Sequence, residues 1–166
     1  LFLFLTGYLQ SQVISEELVQ SHIKILSSDE MEGRKAGTSG IEKAAEYIES
    51  EFEKMGLSKF GKNQNYRQNF KSQGMELFNV IGLLRGNSKA QEIIVISAHY
   101  DHLGMDHELQ GDKIFNGAND NASGVSAVLA IADYYSKKRT NERSLLFVAF
   151  TAEEMGLIGS NYFGTT

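Results

Sequence analysis

The sequence predicts an α/β domain, and three observations carry that prediction. "EIIVISAHYDH" and "RSLLFVAFTAE" are short runs rich in Val, Ile, Leu and Phe without polar alternation, as in strands covered on both faces. Between them, "SGVSAVLAIADYYSKK" repeats apolar residues at Val125, Val128, Leu129, Ala132 and Tyr135, the spacing of a helix at crossover length. Strand, helix, strand implies a parallel pair with a right-handed crossover, and in such sheets ligands gather at the carboxyl ends of the strands.

The elements before this unit are also legible. After Ser15, a helix N-cap followed by Glu16 and Glu17, "EELVQSHIKILSS" sets Leu18, Ile23, Ile25 and Leu26 on a broad helical face. "DEMEGRKAGTSG" reads as a loop with three glycines. "TSGIEKAAEYIESEFEKMGL" then places Ile41, Ala44, Ala45, Ile48, Phe52 and Met55 three or four apart and stops at Gly56, an amphipathic helix with its C-terminal glycine. "QNYRQNF" and "ELFNVIGLLRG" read as two further strands.

Composition narrows the chemistry. A chain of 166 residues with 42% hydrophobic and 22% charged residues is a globular domain with a real core. A net charge of -5, with no basic run longer than Lys137, Lys138 and Arg139 at a helix end, gives no footprint for nucleic acid. There is no cysteine, so disulfides and thiolate zinc sites are excluded and any metal must be held by His, Asp and Glu. The first dozen residues, "LFLFLTGYLQSQ", lack an initiator Met and begin with an apolar run too short to span a bilayer. Residues 1–12 are read as the remnant of a signal peptide, hence an exported protein, periplasmic or extracellular, with a buried N-terminal strand as the alternative. No transmembrane segment is expected, and the oligomeric state is open.

Three groups of His and acids fall where ligands gather. His99 and Asp101 end one strand, Asp120 sits in the "NGANDNASG" loop before the crossover helix, and Glu153 and Glu154 end the next strand. His99 offers a neutral imidazole to zinc, and Asp101 is placed to accept its other ring N–H and fix the tautomer, although a strand-end His is often structural. Asp120 is either a plain helix-start acid or a carboxylate bridging two metal ions roughly 3.5–4 Å apart. Adjacent acids raise the cost of ionising each other, and a nearby cation removes that penalty. Glu153 and Glu154 are then either solvated acids or a metal ligand beside a base that takes a proton from water. His102, His107 and His22 are read as surface or packing residues.

The runs "SAHYDHLG", "NGANDNASGVSAVLAIA" and "LLFVAFTAEEMGLIGSNYF", in that order, resemble the zinc-dependent M28 family of metallopeptidases. "LSSDEMEGRKAGTSGIEKAAEYIESEFEKMGL" is similar to the leader helices of its bacterial exported members. The resemblance implies a three-layer α/β/α sandwich with a mixed, largely parallel central sheet, zinc-exopeptidase-like and incomplete at the C-terminus. Residues 13–166 would be the N-terminal part of a single catalytic domain. It further implies His99 as ligand of one zinc, Asp120 as the bridging carboxylate, Glu154 as ligand of the other zinc, Glu153 as general base and Asp101 as the support behind His99. Two zinc ions are expected in the full-length protein. A further Asp and a further His are expected beyond Thr166. Asn119 stands where the family often has Asp, at a position other than the bridging one.

The implied activity is hydrolysis of peptide bonds in a peptide or protein substrate, as an aminopeptidase, by a metal-activated water with a Glu base. Glutaminyl-cyclase-like acyl transfer on the same fold and a non-catalytic binding module are the alternatives. Residues 1–166 alone are expected to bind zinc weakly and to be inactive. The "RSLLFVAFTAE" strand is expected to stand without a neighbour on one side.

Overall fold

The computed structural model describes residues 14–61 and 64–166. The signal-peptide reading of residues 1–12 lies outside them. Helix α1 (Glu16–Leu26) begins where the sequence places it, the Ser15 side chain accepting the Leu18 N–H at 3.1 Å. Its buried line is His22 and Leu26, four residues apart, whereas Ile25, expected on the inner face, is 39% exposed. The Gly-rich segment that follows is folded rather than open: Asp29–Arg34 forms 3-10 turns. Helix α2 (Ser39–Lys54) buries the expected Ile41, Ala44, Ala45, Ile48 and Phe52.

The main sheet is built from β1 (Ser58–Lys59), β2 (Arg67–Ser72), β3 (Met75–Leu84), β4 (Lys89–His99) and β7 (Arg143–Phe150). A small ladder of β5 (Gly104–Met105) and β6 (Ile114–Phe115) stands apart. The strand order is β1-β3-β7-β4, with β2 also paired to β3. The α/β class and the mixed sheet match expectation, and β4 and β7 form the expected parallel pair across helix α3 (Ser123–Lys138). The antiparallel share is larger than "largely parallel" implied, because β1, β2 and β7 all run against β3. Gln73 and Gly74, both at positive φ, turn the chain tightly between β2 and β3, and so short a connection permits only antiparallel pairing.

Strand β7 is also not the edge. It lies between β3 and β4, and every residue from Ser144 to Ala149 is buried. Strand β4 takes the outer position, leaving Ile93, Ile94 and Val95 close to half exposed. Strand order depends on pairing between distant segments, so the apolar composition of β7 and β4 alone did not distinguish centre from edge.

Helices α2 and α3 cover one face, over Val80, Leu84, Leu145, Phe147 and Ala149, and α1 packs against α3. At Gly82 a Cβ would lie 2.8 Å from Phe52 and Leu57, so the missing side chain is what lets α2 settle against β3. The alternate residues Ile81, Leu146 and Val148 form a second cluster with Phe60, Phe150 and Phe163 of helix α4 (Ile158–Thr165). The carboxyl ends of β4 and β7 therefore come side by side, His99 opposite Phe150.

Candidate metal centre

Past β4 the chain continues through Tyr100, Asp101 and His102 under tight restraint. Tyr100 is buried, donates its hydroxyl to the Phe78 carbonyl at 3.0 Å and its N–H to Phe150 at 2.9 Å. Asp101 is fully buried, and its carboxylate accepts the Glu153 N–H at 3.0 Å and the Glu154 N–H at 3.2 Å. A buried carboxylate needs such donors to offset lost hydration. Asp101 thus ties the end of β4 to the acidic pair after β7. Toward His99 it turns its backbone carbonyl, 3.2 Å from Nδ1, with its carboxylate Oδ1 farther at 3.7 Å. Hydrogen bonding to Asp101 raises the His99 pKa above its ordinary value, burial opposing and the Glu153 charge assisting.

The exit from β7 is held from the other side. Buried Asn79 of β3 accepts the Thr151 N–H at 3.2 Å and donates to the Gly159 carbonyl at 3.0 Å and the Gln68 side chain at 2.9 Å. Glu153 and Glu154 therefore leave a fixed turn, in which the Glu153 carbonyl accepts the N–H groups of Gly156 and Leu157 at 2.9 Å each.

Asp120 stands in an irregular turn, Ala118–Ala122, entered at Gly117 with φ of 59°. A Cβ at Gly117 would lie 2.5 Å from the His102 ring and 2.7 Å from Arg34 Nη2, so this position demands glycine for space as well as conformation. The Asn121 side chain accepts the Gly124 N–H at 3.0 Å as α3 begins.

These segments bring one oxygen of Asp120 to each of two neighbours. Oδ1 lies 3.1 Å from His99 Nε2, and Oδ2 lies 3.9 Å from His102 Nδ1. His102 Nδ1 is in turn 2.9 Å from Glu154 Oε1. His102, Asp120 and Glu154 each offer a ligand atom within 4.8 Å of the others. Imidazole nitrogen and carboxylate oxygen are donors that zinc takes, and a tetrahedral site separates its ligand atoms by roughly 3.4 Å, so the residues present fit such an ion. Two carboxylates converging on this space also repel each other unless a cation lies between them.

Of the five residues singled out in the sequence, His99 and Asp120 meet directly. Asp101 joins them to the backbone of the Glu pair, and Glu154 reaches Asp120 by way of His102. The Glu153 side chain lies outside the three-residue cluster. His102 is the residue that sequence reasoning passed over. Its signal was its place three residues after His99, just past the end of β4, where the chain leaves the strand and the alternation of sides no longer holds.

The model for peptidase family M28 matches residues 79–166. The chain belongs to peptidase family M28. Within the M28 relatives, aminopeptidase YwaD of Bacillus subtilis is 36% identical over 86 residues, covering 51% of this chain and 17% of that protein. A probable zinc metalloprotease of Leptosphaeria maculans is 25% identical over 170 residues, covering 93% and 39%. The chain thus spans well under half the length of these relatives. Among solved structures, Legionella pneumophila LapA superimposes with a TM-score of 0.70 at 24% identity, over 92% of this chain and 39% of that one. A glutaminyl cyclase of Fimbriiglobus ruber gives 0.72 at 21% identity, over 92% and 55%. These likenesses show the fold. Among the described residues no helix is long and apolar enough to cross a membrane.

Proposed function

We propose that this M28 chain forms part of a zinc-dependent aminopeptidase site, with His99, Asp120 and Glu154 as metal ligands, Glu153 as general base and Asp101 as the residue that orders them. The observation that carries the reading is Asp120, one carboxylate with an imidazole nitrogen near each oxygen, His99 at Oδ1 and His102 at Oδ2, and with Glu154 in the same cluster beside His102. Two ions would be held in the full-length protein, with Asp120 as the carboxylate they would share. The zinc-metalloprotease and aminopeptidase names of the relatives support the metal and the reaction class.

When bound, zinc supplies Lewis acidity that lowers the pKa of a water and polarises the scissile carbonyl. Asp101 fixes the backbone of the Glu pair and presents its own carbonyl to His99 Nδ1, leaving Nε2 free to face the metal space. Glu153, beside a ligand and outside the cluster, accepts a proton from the attacking water and returns it to the leaving amine. Residues 13–166 are read as the N-terminal part of one catalytic domain, and export as its destination.

The likeness to glutaminyl cyclase keeps intramolecular acyl transfer as a second reading. On the full-length protein, an aminoacyl chromogen should be hydrolysed and a glutaminyl peptide left uncyclised; the reverse outcome would make the chain a cyclase. Glu153→Gln should lower kcat by a factor of at least about 100 with zinc content unchanged, and normal turnover in that variant would remove Glu153 as the base. Elemental analysis decides between one and two ions per chain.

A further inference from the structure

We propose that Arg34 is a positioning residue of the metal centre, a clamp that fixes two of the three segments carrying its donors, the exit of β4 with His99 and His102 and the turn with Asp120. The inference rests on the reading of Asp120 and its neighbours as a zinc site.

Arg34 is 1% exposed, and its guanidinium donates to backbone carbonyls from three separate segments. Nε donates to Tyr100 at 2.9 Å, Nη1 to Leu26 and to Asn116 at 2.7 Å, and Nη2 to Gly117 at 3.0 Å. Its own carbonyl accepts the His102 N–H at 3.1 Å. The carbonyls it holds therefore flank the candidate ligands. Tyr100 lies between His99 and His102, and Gly117 opens the turn that carries Asp120.

Asn116 closes the clamp from behind, donating to the Ser27 carbonyl at 2.9 Å and to Asp29 at 2.8 Å. The fit leaves no slack. A Cβ at Gly33 would strike the Gly104 backbone, and one at Gly117 would press on both Arg34 and His102.

A buried charge is costly to desolvate, so a neutral amide donor would serve a purely structural knot among carbonyls with less penalty. Burial pulls the Arg34 pKa down to about 10, while Asp101 and Asp120 favour the charged form at longer range. The guanidinium thus sits behind the acidic cluster without consuming any of its oxygens in an ion pair. Five donors in a rigid fork suit that task, and a lysine reproduces the charge without the fork.

The test measures zinc affinity by competition with a chromogenic chelator on full-length wild type, Arg34→Lys, Asn116→Ala and Leu146→Ala, with melting curves recorded in excess chelator. Leu146 lies in the cluster on the other face of the sheet and serves as a control for lost stability. Arg34→Lys should bind zinc 10- to 100-fold more weakly, on the order of other losses of residues that orient ligands. Leu146→Ala should melt lower and bind zinc as wild type does. Should Arg34→Lys fail to fold, Asn116→Ala supplies the same readout through the other half of the clamp, with a several-fold loss expected. Unchanged affinity in the folded variants, or a loss that Leu146→Ala reproduces, would overturn the clamp alone. A wild-type protein that takes up no zinc would overturn the reading of the site and the clamp with it.

Discussion

The middle of strand β4 and the segment past its carboxyl end obey opposite rules. The middle leaves Ile93, Ile94 and Val95 exposed by 45% to 49%, apolar side chains only half covered by the described residues. The segment past the carboxyl end buries Asp101 completely, and Arg34 beside it, with every charged atom answered by a backbone partner. Apolar groups outside and charged groups inside invert the usual distribution. What the contrast teaches is that this strand spends its order on holding loops rather than on filling a core. The half-covered parts and the parts with no room to move lie a few residues apart.

The contrast breaks first at Asp101. Asp101→Ala leaves two part-buried N–H groups without their acceptor and should destabilise by about 2 kcal/mol, with Asp101→Asn costing less because one oxygen remains. A loss under about 1 kcal/mol in denaturant titration would mean the acidic turn is held elsewhere.

A smaller effect distinguishes satisfied from unsatisfied burial. His22 is 2% exposed, with Nδ1 2.5 Å from the Tyr47 hydroxyl and Nε2 without a partner among the described residues. Burial lowers its pKa below 6.5, Glu51 and Asp133 opposing. The unfolded chain then binds the proton more readily, so this contribution to stability is complete above about pH 6.5 and is lost as pH falls through the lowered native value. In metal-free protein the denaturation midpoint should drop between pH 7 and 5, and His22→Leu should lose that component of the slope; identical slopes would refute the assignment.

The smallest effect belongs to the middle stretch of β4. Ile94→Lys should change stability by no more than about 0.5 kcal/mol, as at other exposed sites. A cost comparable to that at Asp101 would show that the stretch is covered in the full-length protein.

Much of the fold was readable because its signals are local. The Ser15 cap, the α2 stripe from Ile41 to Phe52 and the limits of α3 all follow from spacing within one or two turns. The approach of His99 to Asp120 followed from a rule about strand ends. Strand order was not legible, since β7 and β4 have similar apolar runs and only pairing with β3 makes β7 central. His102 hid in a loop without periodicity. Arg34 hid in a Gly-rich segment whose fold exists only because distant carbonyls come to meet it. Ile25 misled for a related reason: the helical face was broad, and packing against α3 selected the line through His22 instead.

The reach of Arg34 also has a consequence for how the protein is made. Its carbonyl partners at Tyr100 and Gly117 lie 66 and 83 positions later in the chain. At a synthesis rate of roughly 5–20 residues per second, the arginine leaves the ribosome roughly 4–17 seconds before Gly117 does. Through that interval it is a hydrated cation on a nascent leader, and the contacts between helix α1 and the later loops are still unavailable. Translation therefore delivers the clamp and its Leu26 partner first, and the Tyr100, Asn116 and Gly117 carbonyls afterwards.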